Sequence, residues 1–382
     1  MRTAKIILLI VSILFLPACV AESRLEQTAI INSRGVDLIE GNGKKIIETT
    51  IIPFIFDPNA DESTSLLIGR GDTIKEARSE AEKLSPFPLE PGKINMDFYG
   101  PEAAKAGILP FLNTLIRDAR VSDRMQLAIT PNSAREFLEK KQNLISENKT
   151  EYLKDLTRKE VEASILPRHS LEYFSRLVTQ VGIDPVLPIL SFKEGKPAVI
   201  GIALFEDDRY VGEASLGESF LINQLREKTN NSPIEAMVPA NKYEDVIVYE
   251  SEYTENEQFV YLSFNLKKGT GKIKIDDFDT LRFKAKINMR ADLLETSIPM
   301  DIKDEKMIKR LEKDIEAYYQ KEYETLFKKL QEVKSDAFGV GRTYVSTRQG
   351  SKTTHKEWKE KYQNVSLDFD VEFKIVHIGT ID

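Results

Sequence analysis

The sequence predicts an α+β protein of several domains, with a mixed α/β N-terminal part and a C-terminal antiparallel sheet packed by a long helix. Three observations carry this. Apolar and polar residues alternate strictly over 283–293 and again over 367–375, the period of a strand with one solvated face. Between them, Ile308, Leu311, Ile315, Tyr319, Tyr323, Leu326, Leu330 and Val333 recur about every 3.6 residues, laying one apolar stripe along a helix of roughly 45 Å. Upstream, short apolar runs alternate with helical patterns, the mark of α/β units.

Taken in chain order, Arg2 and Lys5 precede an apolar stretch, 6–16, broken only by Ser12. It falls short of the roughly 20 residues that span a bilayer, so residues 1–18 read as a signal peptide. Leu16-Pro17-Ala18-Cys19 resembles a bacterial lipobox, and Cys19 is expected to carry a diacylglycerol anchor to a membrane after cleavage before it.

An N-terminal α/β domain is expected over 19–150. Strands at 27–38 and 44–56 flank the Gly41-Asn42-Gly43 turn, and a helix from Ile74 follows a cap at Asp72 or Thr73 and stops before Ser85-Pro86. A strand at 93–98, one helix over about 101–120, a strand at 125–129 and a helix from Ala134 to Lys141 come next. The charge-rich stretch 141–160 reads as a connector. A middle domain, 151–228, holds an amphipathic helix with Leu171, Phe174, Leu177, Val178 and Val181, broken by Asp184-Pro185 before a strand at 186–192. A hairpin at 199–205 and 210–212 then turns through Glu206-Asp207-Asp208-Arg209, and a helix near 216–227 closes the segment. The C-terminal domain, 229–382, contains the alternating strands and the long helix.

Composition narrows the function. The 382 residues carry 54 Lys+Arg against 61 Asp+Glu, a net charge of -7, with 41% hydrophobic residues and one Cys. Such a chain has ample core material, is neither disordered nor polytopic, and repels phosphate backbones, so no nucleic-acid partner is expected. One Cys closes no intramolecular disulfide and builds no Cys-based zinc site.

The three His are scattered: His169 at a helix start, His355 in a polar turn, and His377 on the inward face of the last strand with a packing role. No catalytic residue, metal site or cofactor is expected. Asp276, Asp277 and Asp279 lack the Gly and bidentate Glu of a calcium loop. Gly269-Thr270-Gly271-Lys272 lacks the pattern of a phosphate loop and reads as a turn. Asp207, Asp208, Asp336, Gly339, Gly341 and Trp358 are the candidates for an interaction or structural motif. Asp336 is expected to cap a short helix starting at Ala337, and the two glycines to reverse the chain beside the sheet.

Several stretches, in order, resemble the Ger(x)C family, the lipoprotein C subunits of spore germinant receptors. They are the lipobox, 24–31, 71–77, 110–128, Asp184-Pro185-Val186-Leu187-Pro188, the run 201–212 with Gly at both ends, 334–341, and Trp358-Lys359-Glu360-Lys361-Tyr362. One departure is Ile222-Asn223-Gln224-Leu225, where the family has a Leu-Leu-x-Gly ending. The resemblance implies a non-enzymatic subunit on the outer face of the inner spore membrane, beside an A subunit and a polytopic B subunit, needed for the assembled receptor to trigger germination. A lipid-anchored extracytoplasmic solute- or peptide-binding protein is the alternative.

Overall fold

A computed structural model describes residues 28–41, 43–55, 66–141, 149–248, 257–302, 304–347 and 349–379. Two sheets organise the chain. The larger begins with the hairpin of β1 (Ala29–Gly41) and β2 (Lys44–Ile55), turned at Gly43 with φ +76°. It adds β3 (Leu67–Gly71) on one side, while β4 (Leu89–Glu90) and β5 (Met96–Tyr99) run parallel to β1 and β6 (Gln126–Ile129) parallel to β5. Next come β7 (Val186–Lys193), β8 (Lys196–Glu206) and β9 (Arg209–Ala214), an antiparallel meander.

Helices cover both faces, as parallel strands demand. On one lie α1 (Ile74–Glu82), α2 (Pro101–Ala106), α3 (Leu109–Ile116) and, farther along the chain, α6 (Leu171–Thr179), packing Ala81, Ala104, Leu112 and Phe174 against Tyr99, Leu127 and Phe205. On the other lie α4 (Ala134–Lys141) and α5 (Lys149–Glu162), with Phe137, Leu138 and Leu153 against Met96, Phe98 and Leu190. Inside this sheet Arg34 donates to both carboxylate oxygens of Asp97, Nε to Oδ1 at 2.8 Å and Nη2 to Oδ2 at 2.5 Å, with both side chains buried. Tyr99 donates its hydroxyl to the same Oδ2 at 2.5 Å.

The second sheet is β10 (Ser232–Pro239), β11 (Phe259–Asp277), β12 (Arg282–Thr296) and β13 (Ser366–Ile378) in that order. One face is covered by α8 (Glu305–Glu332), capped by Asp304, whose Leu311, Ile315, Tyr319, Tyr323, Leu326 and Leu330 are buried. Before the sheet, α7 (Leu216–Arg226) places Phe220, Ile222 and Leu225 in the same core, and after α8 come the short α9 (Val340–Val345) and α10 (His355–Tyr362).

Several expectations are corrected by this structure. The helix expected over 101–120 is two helices, because Gly107 takes φ +111° and the Ile108 amide leaves the helical ladder to donate to the Asp208 carbonyl at 2.9 Å. The connector expected over 141–160 contains α5, whose inward stripe is Thr150, Leu153 and Thr157. The C-terminal sheet is antiparallel only through β12. β13 joins β12 in parallel, because the chain returns to the same end through the α8 crossover. Gly269-Thr270-Gly271-Lys272 lies within β11 and not in a turn, and its glycines admit α7 at close range, where side chains at Gly269 and Gly271 would strike Gln224, Leu225 and Thr229. Strands from the expected 19–150 and 151–228 segments share the large sheet. Among the described residues no helix is long and apolar enough to cross a membrane. Cys19 and the whole 1–18 segment lie outside the described residues.

Candidate functional site

The motif residues converge where the hairpin turn of the large sheet meets the loop that follows α8. Lys334, Ser335 and Asp336 leave α8, Gly339 takes φ +73°, and α9 begins at Val340. A non-glycine residue is strained at that angle, so the sharp reversal needs Gly339. Asp336 caps α9 from four residues before its start, its Oδ1 accepting from the Val340 amide at 2.8 Å and its Oδ2 from the Gly341 amide at 2.9 Å. The helix expected to start at Ala337 thus starts at Val340, because Gly339 first turns the chain. Trp358, on α10, donates its indole Nε1–H to the same Oδ2 at 2.9 Å. Gly341 lets this happen: a Cβ there would run into the Trp358 ring and into Gly182.

Asp184 is the second half of the site. Its Oδ1 accepts from the Asp207 amide at 2.9 Å and its Oδ2 from the Asp336 amide at 2.7 Å, while its own amide donates to the Asp336 carbonyl at 3.1 Å. Buried Arg226, at the end of α7, ties the two loops by donating Nε to the Ala337 carbonyl and Nη2 to the Asp184 carbonyl, both at 2.6 Å. Each of the four carboxylate oxygens of Asp184 and Asp336 therefore receives a donor from this chain.

Electrostatics at the junction is set by desolvation. Burial raises the Asp184 carboxyl to about 7; the Asp207 and Asp336 amides pull it down, and the neighbouring Asp336 and Asp207 charges push it up. Burial likewise raises Asp336 to about 6 against the Gly341 and Val340 amides, the Trp358 indole and the Arg226 charge. Burial lowers Arg226 from its ordinary value. The arrangement clamps backbone to backbone; it offers two high-titrating carboxyls whose oxygens are already engaged.

Of the six candidates, Asp336, Gly339, Gly341 and Trp358 form one cluster. Asp207 enters through its backbone, in the left-handed region at φ +55°, and through its carboxylate, which receives Lys359 from α10. Asp208 faces elsewhere: its Oδ2 accepts from the Leu109 amide at 3.0 Å and fixes the break between α2 and α3. Sequence reasoning assigned Asp184 a helix-breaking part only and passed over Arg226. Arg226 gave no local signal: α7 also carries Glu218, Asn223 and Gln224, and only the structure shows that its last eight residues are buried.

The three histidines share no site with one another, and His355 alone approaches a candidate residue, its Nδ1 3.8 Å from Asp207. His169 is buried, its Nδ1 3.2 Å from the Pro167 carbonyl, and burial lowers it to about 4. His355 is the first residue of α10 rather than part of a turn, since Thr354 caps the helix there, and its Nε2 lies 3.2 Å from the Thr179 carbonyl. His377 is exposed rather than inward, because the register shift between Ala291 and Leu293 puts Ile378 opposite Leu293 and turns His377 toward Asp292 at 3.0 Å. No group of three metal-ligating side chains occurs among the described residues.

Comparison with known proteins agrees with this architecture. Residues 22–192 match the family model described as spore germination protein N-terminal domain, and residues 200–379 match spore germination B3/GerAC-like, C-terminal. A relative, spore germination protein GerQC of Bacillus cereus, is 24% identical over 382 residues, covering 99% of either chain. The crystal structure of the GerBC protein has the same fold, with a TM-score of 0.55 at 17% identity over 90% of this chain and 97% of that one. The chain belongs to the Ger(x)C family of spore germination proteins.

Proposed function

We propose that this chain is the lipid-anchored C subunit of a nutrient germinant receptor, a non-enzymatic component needed for the assembled receptor to trigger germination. In this reading Cys19 carries the diacylglycerol anchor, the folded body sits on the outer face of the inner spore membrane, and its partners are the A and B subunits. The observation that supports it best is the junction. Asp184, Asp336, Arg226 and Trp358 lock the two sheets together, with both carboxylates and the indole turned on the chain itself, an arrangement suited to presenting fixed surfaces to partners rather than to transforming a substrate.

The test is to replace the gene in spores by one encoding Cys19→Ala, and separately to delete it. The expected result is loss of the chain from the inner-membrane fraction in the first case and loss of the response to one class of nutrient in both. Deletion spores that respond to every nutrient as the parent does would refute the receptor assignment, and a Cys19→Ala chain with the parent's processed mass and membrane fraction would refute the anchor.

A further inference from the structure

The solvent face of the second sheet bears a feature that the receptor reading does not use. A groove of about 680 Å³ runs over β11 and β12 beside the segment that leaves α7. Lys228, Lys272, Lys274, Lys284, Lys286 and Arg226 line it, against the acidic Glu227 and Asp370. The chain as a whole has a net charge of -7, so the groove opposes the protein's overall sign.

The register sharpens this. Lys272 stands directly opposite Lys286, and Lys274 directly opposite Lys284. Like charges in facing cross-strand positions destabilise a sheet, and here two such pairs are adjacent. Neighbouring strand β13 compensates one column alone: Lys284 reaches Asp370 at 3.6 Å and Lys286 reaches Glu372 at 2.6 Å. Lys228, Lys272 and Lys274 have no acidic partner among the described residues. Arg226, which also lines the groove, has a buried Nη1 with no hydrogen-bond partner.

We infer that this groove is a binding site for a phosphate-bearing anion. Lys272 and Lys274, uncompensated and roughly 7 Å apart on one strand face, stand across the groove from Lys228, so these flexible ammonium groups can converge on one phosphate or straddle two. Ammonium groups act on phosphate as point charges and need no fixed fork, which suits a shallow site on a strand face. The phosphate comes from a soluble phosphate ester or from the headgroup of an anionic phospholipid, and the groove is open enough for either.

The experiment uses the full chain in nonionic detergent with inorganic pyrophosphate as the soluble probe, followed by calorimetry, and flotation with phosphatidylcholine vesicles with and without phosphatidylglycerol as the lipid probe. Lys272→Gln/Lys274→Gln is expected to weaken the binding by about tenfold, the cost of losing charge-assisted contacts, with no loss of melting temperature because two like-charge pairs disappear. Lys228→Gln, on the other wall, should weaken it in the same direction. A Lys-dependent gain from phosphatidylglycerol assigns the site to a headgroup, and Lys-dependent pyrophosphate binding with no such gain assigns it to a soluble ester. The inference is overturned if neither probe binds, if the double variant binds both as the parent does, or if Lys313→Gln/Lys321→Gln on exposed α8 weakens binding equally.

Discussion

Two carboxylate sites sit inside this molecule and meet the cost of burial by different means. At Arg34–Asp97 the acid faces a guanidinium through two parallel hydrogen bonds. Burial pulls the Arg34 pKa down, but the Asp97 charge and its hydrogen bonds more than reverse that, so the net direction is up. At the junction the acids face mainly backbone amides and each other, and burial wins: Asp184 rises to about 7 and Asp336 to about 6. A full opposing charge outweighs desolvation where amide dipoles do not. Arg34 keeps its charge across physiological pH, and the two junction acids titrate within it.

The comparison is broken most directly by Arg34→Met, which strands a buried carboxylate. Removing one partner of a buried pair costs about 3–5 kcal/mol, read as a lower urea midpoint at pH 7. Next is Asp336→Ala, which orphans the Val340 and Gly341 amides and the Trp358 indole; the expected loss is about 2–3 kcal/mol with a shift in tryptophan emission.

The pH dependence sharpens the contrast. Asp184 and Asp336 titrate higher in the folded state than their ordinary value of 3.8, so the folded chain holds more protons between these limits. Their contribution is fully present below about pH 3.8 and is lost as pH rises through about 6 and then about 7. Relative to Asp184→Asn, the parent should therefore lose melting temperature between pH 5 and pH 8, approximate limits set by linkage; parallel curves would contradict the assigned titration. The smallest effect is expected for Lys359→Met, which removes a part-exposed ion pair with Asp207 and costs about 0.5 kcal/mol in the same denaturation assay.

How much of this was legible in the sequence follows the range of the interactions. The alternation at 283–293 and the stripe of α8 are local patterns and were readable, as was the turn at Asp336, because the cap and its glycines lie within one short stretch, whereas Trp358 joins them from 22 residues on. The direction of β13 was not readable: a strand with one wet face shows the same alternation in either orientation, and only the crossover decides. The inward stripe of α5 escaped because two of its three buried positions are Thr150 and Thr157, which contribute no hydropathy signal. Asp184 and Asp336 are separated by 152 residues, and nothing local at either position announces the other.

The larger sheet has an unequal seam. β6 and β7 meet through one residue pair, Ile129 with Ile189, because the adjoining edge of β6 is already taken by the segment at His169, whose carbonyl accepts from the Leu127 amide at 2.9 Å. The strands therefore read as continuous while their ladder is almost cut. A pull applied between the β1–β6 half and the β7–β9 half meets little main-chain resistance there. It is carried instead by rivets set off the ladder: Asp208 on the α2–α3 break and Phe174 against Phe205 at 5.4 Å. Under tension this seam resists through helix contacts, the Ile108 amide on the Asp208 carbonyl and cores shared by the two halves rather than through a strand ladder.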